Sequence, residues 1–220
     1  MPDRLSGTFS DAVADIRDMA VKLASARRGR VMIGIAGGPG SGKSRLAEAI
    51  SDAAWPEVPA QVIPMDGFHM RHKKLQRLGI AGDKGAPHTF EAEQFVGFVA
   101  RLRTATRAMA GPIYSREIED VVEDAFVVSR NERLLIVEGN YLLLGQEPWK
   151  VLRDLFDVTI FLDLEREVAR DRLTQRHGEH GLFSPEHIAR HVEEVDMFNF
   201  DLVAKSVERA DLILEISDAA

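Results

Sequence analysis

The chain contains no cysteine. Disulfides, thiolate zinc centres and cysteine nucleophiles are therefore excluded, and the absence suits a reducing compartment without demanding one. No apolar run approaches the ~20 residues of a membrane-spanning helix, and Met1-Pro2-Asp3-Arg4 leads into no signal-peptide core. A soluble, cytoplasmic protein without a membrane partner is expected. Positive charge is also scarce: 28 Lys and Arg stand against 35 Asp and Glu, a formal charge of −7. Such a protein offers no general attraction to nucleic acid, so any anion site must be built locally. Internal repeats, low-complexity tracts and linkers are lacking as well. The 220 residues, 45% of them hydrophobic, are enough for one ordinary domain with a sizeable core, and residues 1–220 are read as a single unit.

Hydrophobic periodicity divides this unit into alternating elements. Residues 10–28 carry Val13, Ile16, Met19, Ala20 and Leu23 at helical spacing, with Ser10 as the expected N-cap. Val31-Met32-Ile33-Gly34-Ile35-Ala36 is a continuous apolar run ended by glycines, the pattern of a strand buried on both faces of a parallel sheet. A helix from Lys43 to about Ala54 follows. Further strands are expected at residues 61–65, 134–137, 158–162 and 212–216, with helices at 91–107 and 165–177 between them. Strands alternating with helices predict an α/β fold of three layers around a mostly parallel sheet of about five strands. Residues 66–90 break the pattern: rich in Gly, His, Lys and Arg, they read as a functional excursion at a strand end, with a short helix around Leu75 and Leu78. Ile113-Tyr114 and residues 125–128 suggest either a small hairpin or edge strands.

Gly37-Gly38-Pro39-Gly40-Ser41-Gly42-Lys43-Ser44 fits the pattern G-x-x-x-x-G-K-[ST], after a strand and before a helix as that pattern requires. The chemistry explains the residue types. Glycines let backbone N–H groups turn inward around phosphate oxygens, the helix N-terminus adds partial positive charge, Lys43 reaches the β and γ oxygens, and Ser44 is left for Mg²⁺. ATP with Mg²⁺ is the expected cofactor pair, and the fold is that of a P-loop NTPase.

A phosphate loop leaves the reaction open. Asp66 follows the 61–65 strand and should project where open α/β sheets gather ligands, as a base for an acceptor hydroxyl, although Asp-Gly is also a common turn. Glu138 ends the run Leu134-Leu135-Ile136-Val137, placing a carboxylate beside the nucleotide's metal or else in solvent. Arg166, Arg170, Arg172 and Arg176 lie on one predicted helix, a solvated face or the cationic part of a lid spanning 165–190.

With these motifs, Met65-Asp66-Gly67-Phe68-His69 and Val137-Glu138-Gly139-Asn140-Tyr141-Leu142-Leu143-Leu144 in this order, nearly the whole chain resembles the phosphoribulokinase/uridine kinase family. Within it the chain is similar to bacterial proteins labelled fructose transport system kinases, and more distantly to pantothenate kinase. The resemblance implies a kinase that phosphorylates a hydroxyl of a small metabolite, with Asp66, Lys43 and Arg172 catalytic, Arg176 beside the ATP phosphates, and Ser44 and Glu138 at the metal. It also implicates His69, His88, Tyr114 and Arg116 in the acceptor pocket. His88 could instead cap a helix, and Tyr114 could be core. Ser115-Arg116 stands where uridine kinases carry other residues, which disfavours uridine. Asp196 and Asn199 match a block of the subgroup but receive no role. The basic cluster Arg71, His72, Lys73, Lys74, Arg77 and Lys84 either favours an anionic acceptor or is a solvated face. A homodimer is left open. The competing class is a nucleotide-dependent switch or chaperone acting on a protein partner. The chain has no Asn-Lys-x-Asp guanine motif and no Leu-Ser-Gly-Gly-Gln signature of a transport motor.

Overall fold

A computed structural model of the chain describes residues 1–179 and 184–217. In chain order the elements are β1 (Asp3–Gly7), α1 (Phe9–Ala26), β2 (Val31–Ala36), α2 (Lys43–Ala54), β3 (Ala60–Pro64), α3 (His72–Leu78), α4 (Ala92–Thr104), β4 (Met109–Ser115) and β5 (Asp120–Val128). They continue with β6 (Leu134–Gly139), β7 (Val158–Asp163), α5 (Arg166–Glu179), α6 (Pro185–His191), α7 (Met197–Ala204) and β8 (Leu212–Ile216), with short 3₁₀ turns between.

Six strands form a wholly parallel sheet in the order β1-β8-β7-β2-β6-β3. Every residue of β2 and β6 is buried, which is why both read as unbroken apolar runs: alternate side chains enter different cores, and neither face meets water. Val31, Ile33 and Ile35 join Leu134 and Ile136 against Ile16 and Ala20 of α1 and Leu46 and Ile50 of α2. Met32 and Ala36 join Leu135 and Val137 on the other face, against Phe95, Val99 and Leu102 of α4. Each fully buried Leu or Ile contributes roughly 1.5–3 kcal/mol of transfer free energy, so these two layers dominate the stability of the sheet that carries the site.

Three expectations are corrected. The sheet has six strands, because Asp3–Gly7 pairs in parallel with β8. Its burial is mostly that of an exposed edge, so no apolar run marks it. α1 starts two residues earlier than expected: Thr8, not Ser10, is the N-cap, and its side chain and that of Asp11 form a reciprocal capping box, worth about 1 kcal/mol. Met65 leaves the strand and opens a 3₁₀ turn, Met65–Phe68. The 109–128 region is an antiparallel hairpin separate from the main sheet, longer than the two short apolar runs suggested. Of the expected lid, residues 180–183 lie outside the described part.

Candidate active site

β2 delivers the phosphate loop. It runs from Gly37 into α2, and Gly40 and Gly42 take φ of +78° and +91°, a backbone that side-chain-bearing residues resist. Gly38 is closed from behind: a Cβ there would lie 2.5 Å from Phe200 of α7. α2 begins at Lys43 with no side-chain cap on its first amides, so its N-terminal N–H groups and dipole are free to meet an anion. The Ser41 hydroxyl is buried without a hydrogen-bond partner. These features fit a phosphate chain. A hollow of about 230 Å³ adjoins the loop, lined by Phe9, Gly40, Arg45, Leu162 and Arg172 among others.

The register of the sheet sets the acids. Glu138 pairs with Ile35 of β2 and with Pro64 of β3, so it stands one strand from the loop, and Asp66 follows two residues after Pro64. The two carboxylates are close enough that Asp66 raises the pKa of Glu138. Burial is the largest cause of that upward shift; Lys43 and a hydrogen bond from Ser44 oppose it, and Glu48 adds to it. Lys43, Ser44, Glu138 and Asp66 thus meet at the carboxyl ends of β2, β6 and β3. A hydroxyl and two carboxylates are the oxygen donors a hard divalent cation takes, so the residues present fit Mg²⁺.

The hairpin β4–β5 roofs the Asp66 turn. A Cβ on Gly67 would lie 2.0 Å from the Pro112 carbonyl oxygen. The His69 ring stacks between Phe90 at 4.0 Å and Tyr114 at 4.9 Å, and its Nδ1 lies 2.7 Å from the Asp66 carbonyl oxygen, which orients that nitrogen as the donor. Burial lowers the His69 pKa. The Tyr114 hydroxyl donates to Glu119 at 2.7 Å and accepts from Lys84; burial and then the Glu119 bond hold its pKa up. Tyr141, fully buried, donates to the carbonyl of Gly85.

Of the arginines on α5, Arg172 and Arg176 approach the site. Arg172 donates to the Gly40 carbonyl at 3.3 Å. Arg176 is half-buried, with its Nε buried and unpartnered. Burial and then the charge of Arg116 lower its pKa, against the opposing pull of Asp196, Asp66 and Glu119. Arg166 and Arg170 pair instead with Asp201 and Glu193. His88 is exposed and pairs with Asp83 at 3.1 Å. In the basic cluster Arg71 pairs with Glu123, Lys74 with Glu91 and Lys84 with Glu119, so much of its charge is spent inside the protein. Sequence reasoning passed over Asn140 and left Asn199 without a role, yet both amide oxygens are buried and unpartnered. Asn140 lies inside the quoted motif beside Glu138, the one signal that could have pointed to it.

Comparison with known proteins finds relatives over nearly the whole chain. Residues 32–219 match the Phosphoribulokinase / Uridine kinase family. A provisionally named uridine kinase, C227.14 of Schizosaccharomyces pombe, is 37% identical over 91% of this chain and 89% of its own length. Pantothenate kinase of Lacticaseibacillus casei is 32% identical over 67% of the chain and 49% of its own length. The crystal structure of a protein from Silicibacter sp. TM1040, provisionally assigned as a fructose transport system kinase, superposes with a TM-score of 0.84 at 30% identity, covering 91% of this chain and 98% of that one.

Proposed function

The chain belongs to the phosphoribulokinase/uridine kinase family, and from that premise we propose that it is a small-molecule kinase that passes the γ-phosphoryl group of Mg-ATP to a hydroxyl of an anionic metabolite. The phosphate loop holds the triphosphate, and the nucleoside lies in the adjoining hollow. Ser44 and Glu138 hold Mg²⁺, which when bound offsets charge on the phosphate oxygens. Asp66, across the strand ends from the loop, orients the acceptor hydroxyl and takes its proton as the oxygen attacks phosphorus; the O–P bond to ADP breaks as the new one forms. Lys43 and Arg172 offset charge on the transferring group. The observation that carries the reading is the meeting of Asp66, Glu138 and Lys43 at the ends of three adjacent strands. The family and its named members are small-molecule kinases, which gives the protein-partner alternative no support.

The class of acceptor rests on two cations. Arg116, at the hairpin tip, and Arg176, on the lid, lie near enough for the one to depress the other's pKa. The carboxylates of Asp196, Asp66 and Glu119 offset part of that repulsion, and an anionic acceptor between the two guanidiniums would offset more of it. Arg176 keeps a buried Nε free for that purpose. His69 and Tyr114, whose ring centroids are 4.9 Å apart, both feel the Arg116 charge and would supply aromatic surface to the acceptor. A panel of polyols and their carboxylate or phosphate counterparts tests this. ADP release should favour the charged members, and Arg116→Gln should raise KM for them by roughly 10- to 100-fold with kcat less affected. Equal turnover of neutral and charged acceptors would remove the anionic assignment while leaving the kinase intact.

A further inference from the structure

We propose that His177, His191 and Asp196 form a binding site for a first-row divalent metal ion of the zinc type, which staples the lid helix to the helices behind it. Each residue offers one ligand atom, and the three atoms lie within 4.8 Å of one another. They come from separate elements: His177 from the last turn of α5, His191 from the end of α6, and Asp196 from the turn that follows. His177 Nε2 and Asp196 Oδ2 are 2.8 Å apart, and the two imidazoles stand edge to face with centroids 5.3 Å apart.

The backbone is shaped for this meeting. Val192–Asp196 is a π turn, in which the Met197 amide donates to the Val192 carbonyl. In an α-helix residue i lies beside i+4, so His191 and Asp196 would diverge. The wider π turn, bonded i to i+5, brings residues five apart onto one side. Such turns are costly and cluster at functional sites.

Ligand chemistry selects the ion. Two imidazoles and one carboxylate suit zinc and its first-row neighbours, whereas Mg²⁺ and Ca²⁺ demand more oxygens. Tetrahedral Zn²⁺ sets neighbouring ligand atoms about 3.3 Å apart. Reaching that spacing opens the His177–Asp196 contact slightly and draws His191 inward by side-chain rotation, leaving a fourth position for water. His177 and Asp196 side chains keep 23% and 13% of their exposure, so the cluster is not sealed from solvent. Arg176, one residue before His177, sets a positive charge near this spot, so the ion must be held by its bonds to the two imidazoles and the carboxylate.

The consequence reaches the arginines of α5, because Arg176 immediately precedes His177 and Arg172 lies five residues before it on the same helix. Binding of the ion ties α5 to α6 and α7, whose Phe200 lies behind Gly38 of the phosphate loop. The proposal is independent of the acceptor's identity. Titration of the full chain with Zn²⁺ alone, without nucleotide, should show one tight equivalent bound at this cluster, apart from any ion taken by Ser44 and Glu138. His177→Ala and His191→Ala should each weaken it by at least about tenfold, while His72→Ala, on the distant α3, should not. In the wild-type protein, whose folding is not in question, Zn²⁺ should shift the ring resonances of His177 and His191 and leave those of His72 in place. Zinc affinity in the His177→Ala/His191→Ala double variant equal to that of wild type, or unmoved His177 and His191 resonances, overturns the site.

Discussion

Glu138 is held where a carboxylate is uncomfortable. Burial, and then Asp66 and Glu48, push its pKa above the ordinary 4.5 against the pull of Lys43 and Ser44. A carboxyl whose folded pKa is raised binds more protons in the native than in the unfolded state, so stability falls as pH rises from about 4.5 toward the folded value. Glu138→Gln removes that loss. Without metal or nucleotide the variant should melt higher than wild type at pH 8, by on the order of 1–3 kcal/mol, and the advantage should vanish near pH 4.5. The same substitution should weaken Mg²⁺ by roughly 10- to 100-fold or more, since it removes a ligand charge. Thermal melts at the two pH values decide the first point: a variant less stable than wild type at pH 8 would show that Glu138 is a structural ion-pair member and not a poised metal ligand. His69 works in the opposite direction. Burial lowers its pKa below 6.5, so the unfolded chain binds the proton first and stability falls as pH drops below about 6.5.

Among the elements, the hairpin β4–β5 is where sequence and structure part most clearly. Its apolar runs are short because one face is open, with Ile118, Val122 and Val127 exposed. Its place is set by the Asp66 turn, where Gly67 lets the Pro112 carbonyl approach. Gly67→Ala puts a methyl into that backbone. It should cost about 1–3 kcal/mol and, because Tyr114 and Arg116 move with the hairpin, raise KM for the acceptor more than for ATP. Equal rises in both would mean that the hairpin does not serve the acceptor. The strands beneath were legible for a physical reason: a strand buried on both faces must be apolar throughout, as β2 and β6 are. β1 was not legible, since Leu5 is the lone large apolar side chain in Asp3-Arg4-Leu5-Ser6-Gly7 and the strand exists by pairing with β8. The π turn at Val192–Asp196 leaves no local signature either. Nor does the half-buried Arg30, which donates to the carbonyls of Leu102, Ser129 and Glu132: it joins segments some seventy to a hundred residues apart in sequence, and no window of the chain contains both partners.

Taken as a unit, the protein carries −7 formal charges yet sets Lys43 beside Glu138, Arg172 on the Gly40 carbonyl and Arg116 near Arg176. The phosphate loop was readable because its chemistry is contiguous: glycines, a lysine and a serine in eight successive residues. The pairing of Asp66 with Glu138 was half readable. Each acid was marked by its strand end, but their proximity depends on β6 lying between β2 and β3, an order that no local pattern fixes. The paired fates of Arg71, Lys74 and Lys84 were not readable at all, because their acidic partners lie 17 to 52 residues away. No helix among the described residues is long and apolar enough to cross a membrane. The proposed activity depends on Asp66 acting on an acceptor opposite a gripped triphosphate. The direct measurement is ADP release by wild type and Asp66→Asn, with and without an acceptor identified from a metabolite pool, alongside Mg-ATP affinity for both proteins. The predicted result is acceptor-dependent turnover that falls by about 10²–10⁴ in the variant while ATP affinity stays within a few-fold. Turnover that ignores every acceptor, or an Asp66→Asn protein as active as wild type, would contradict it.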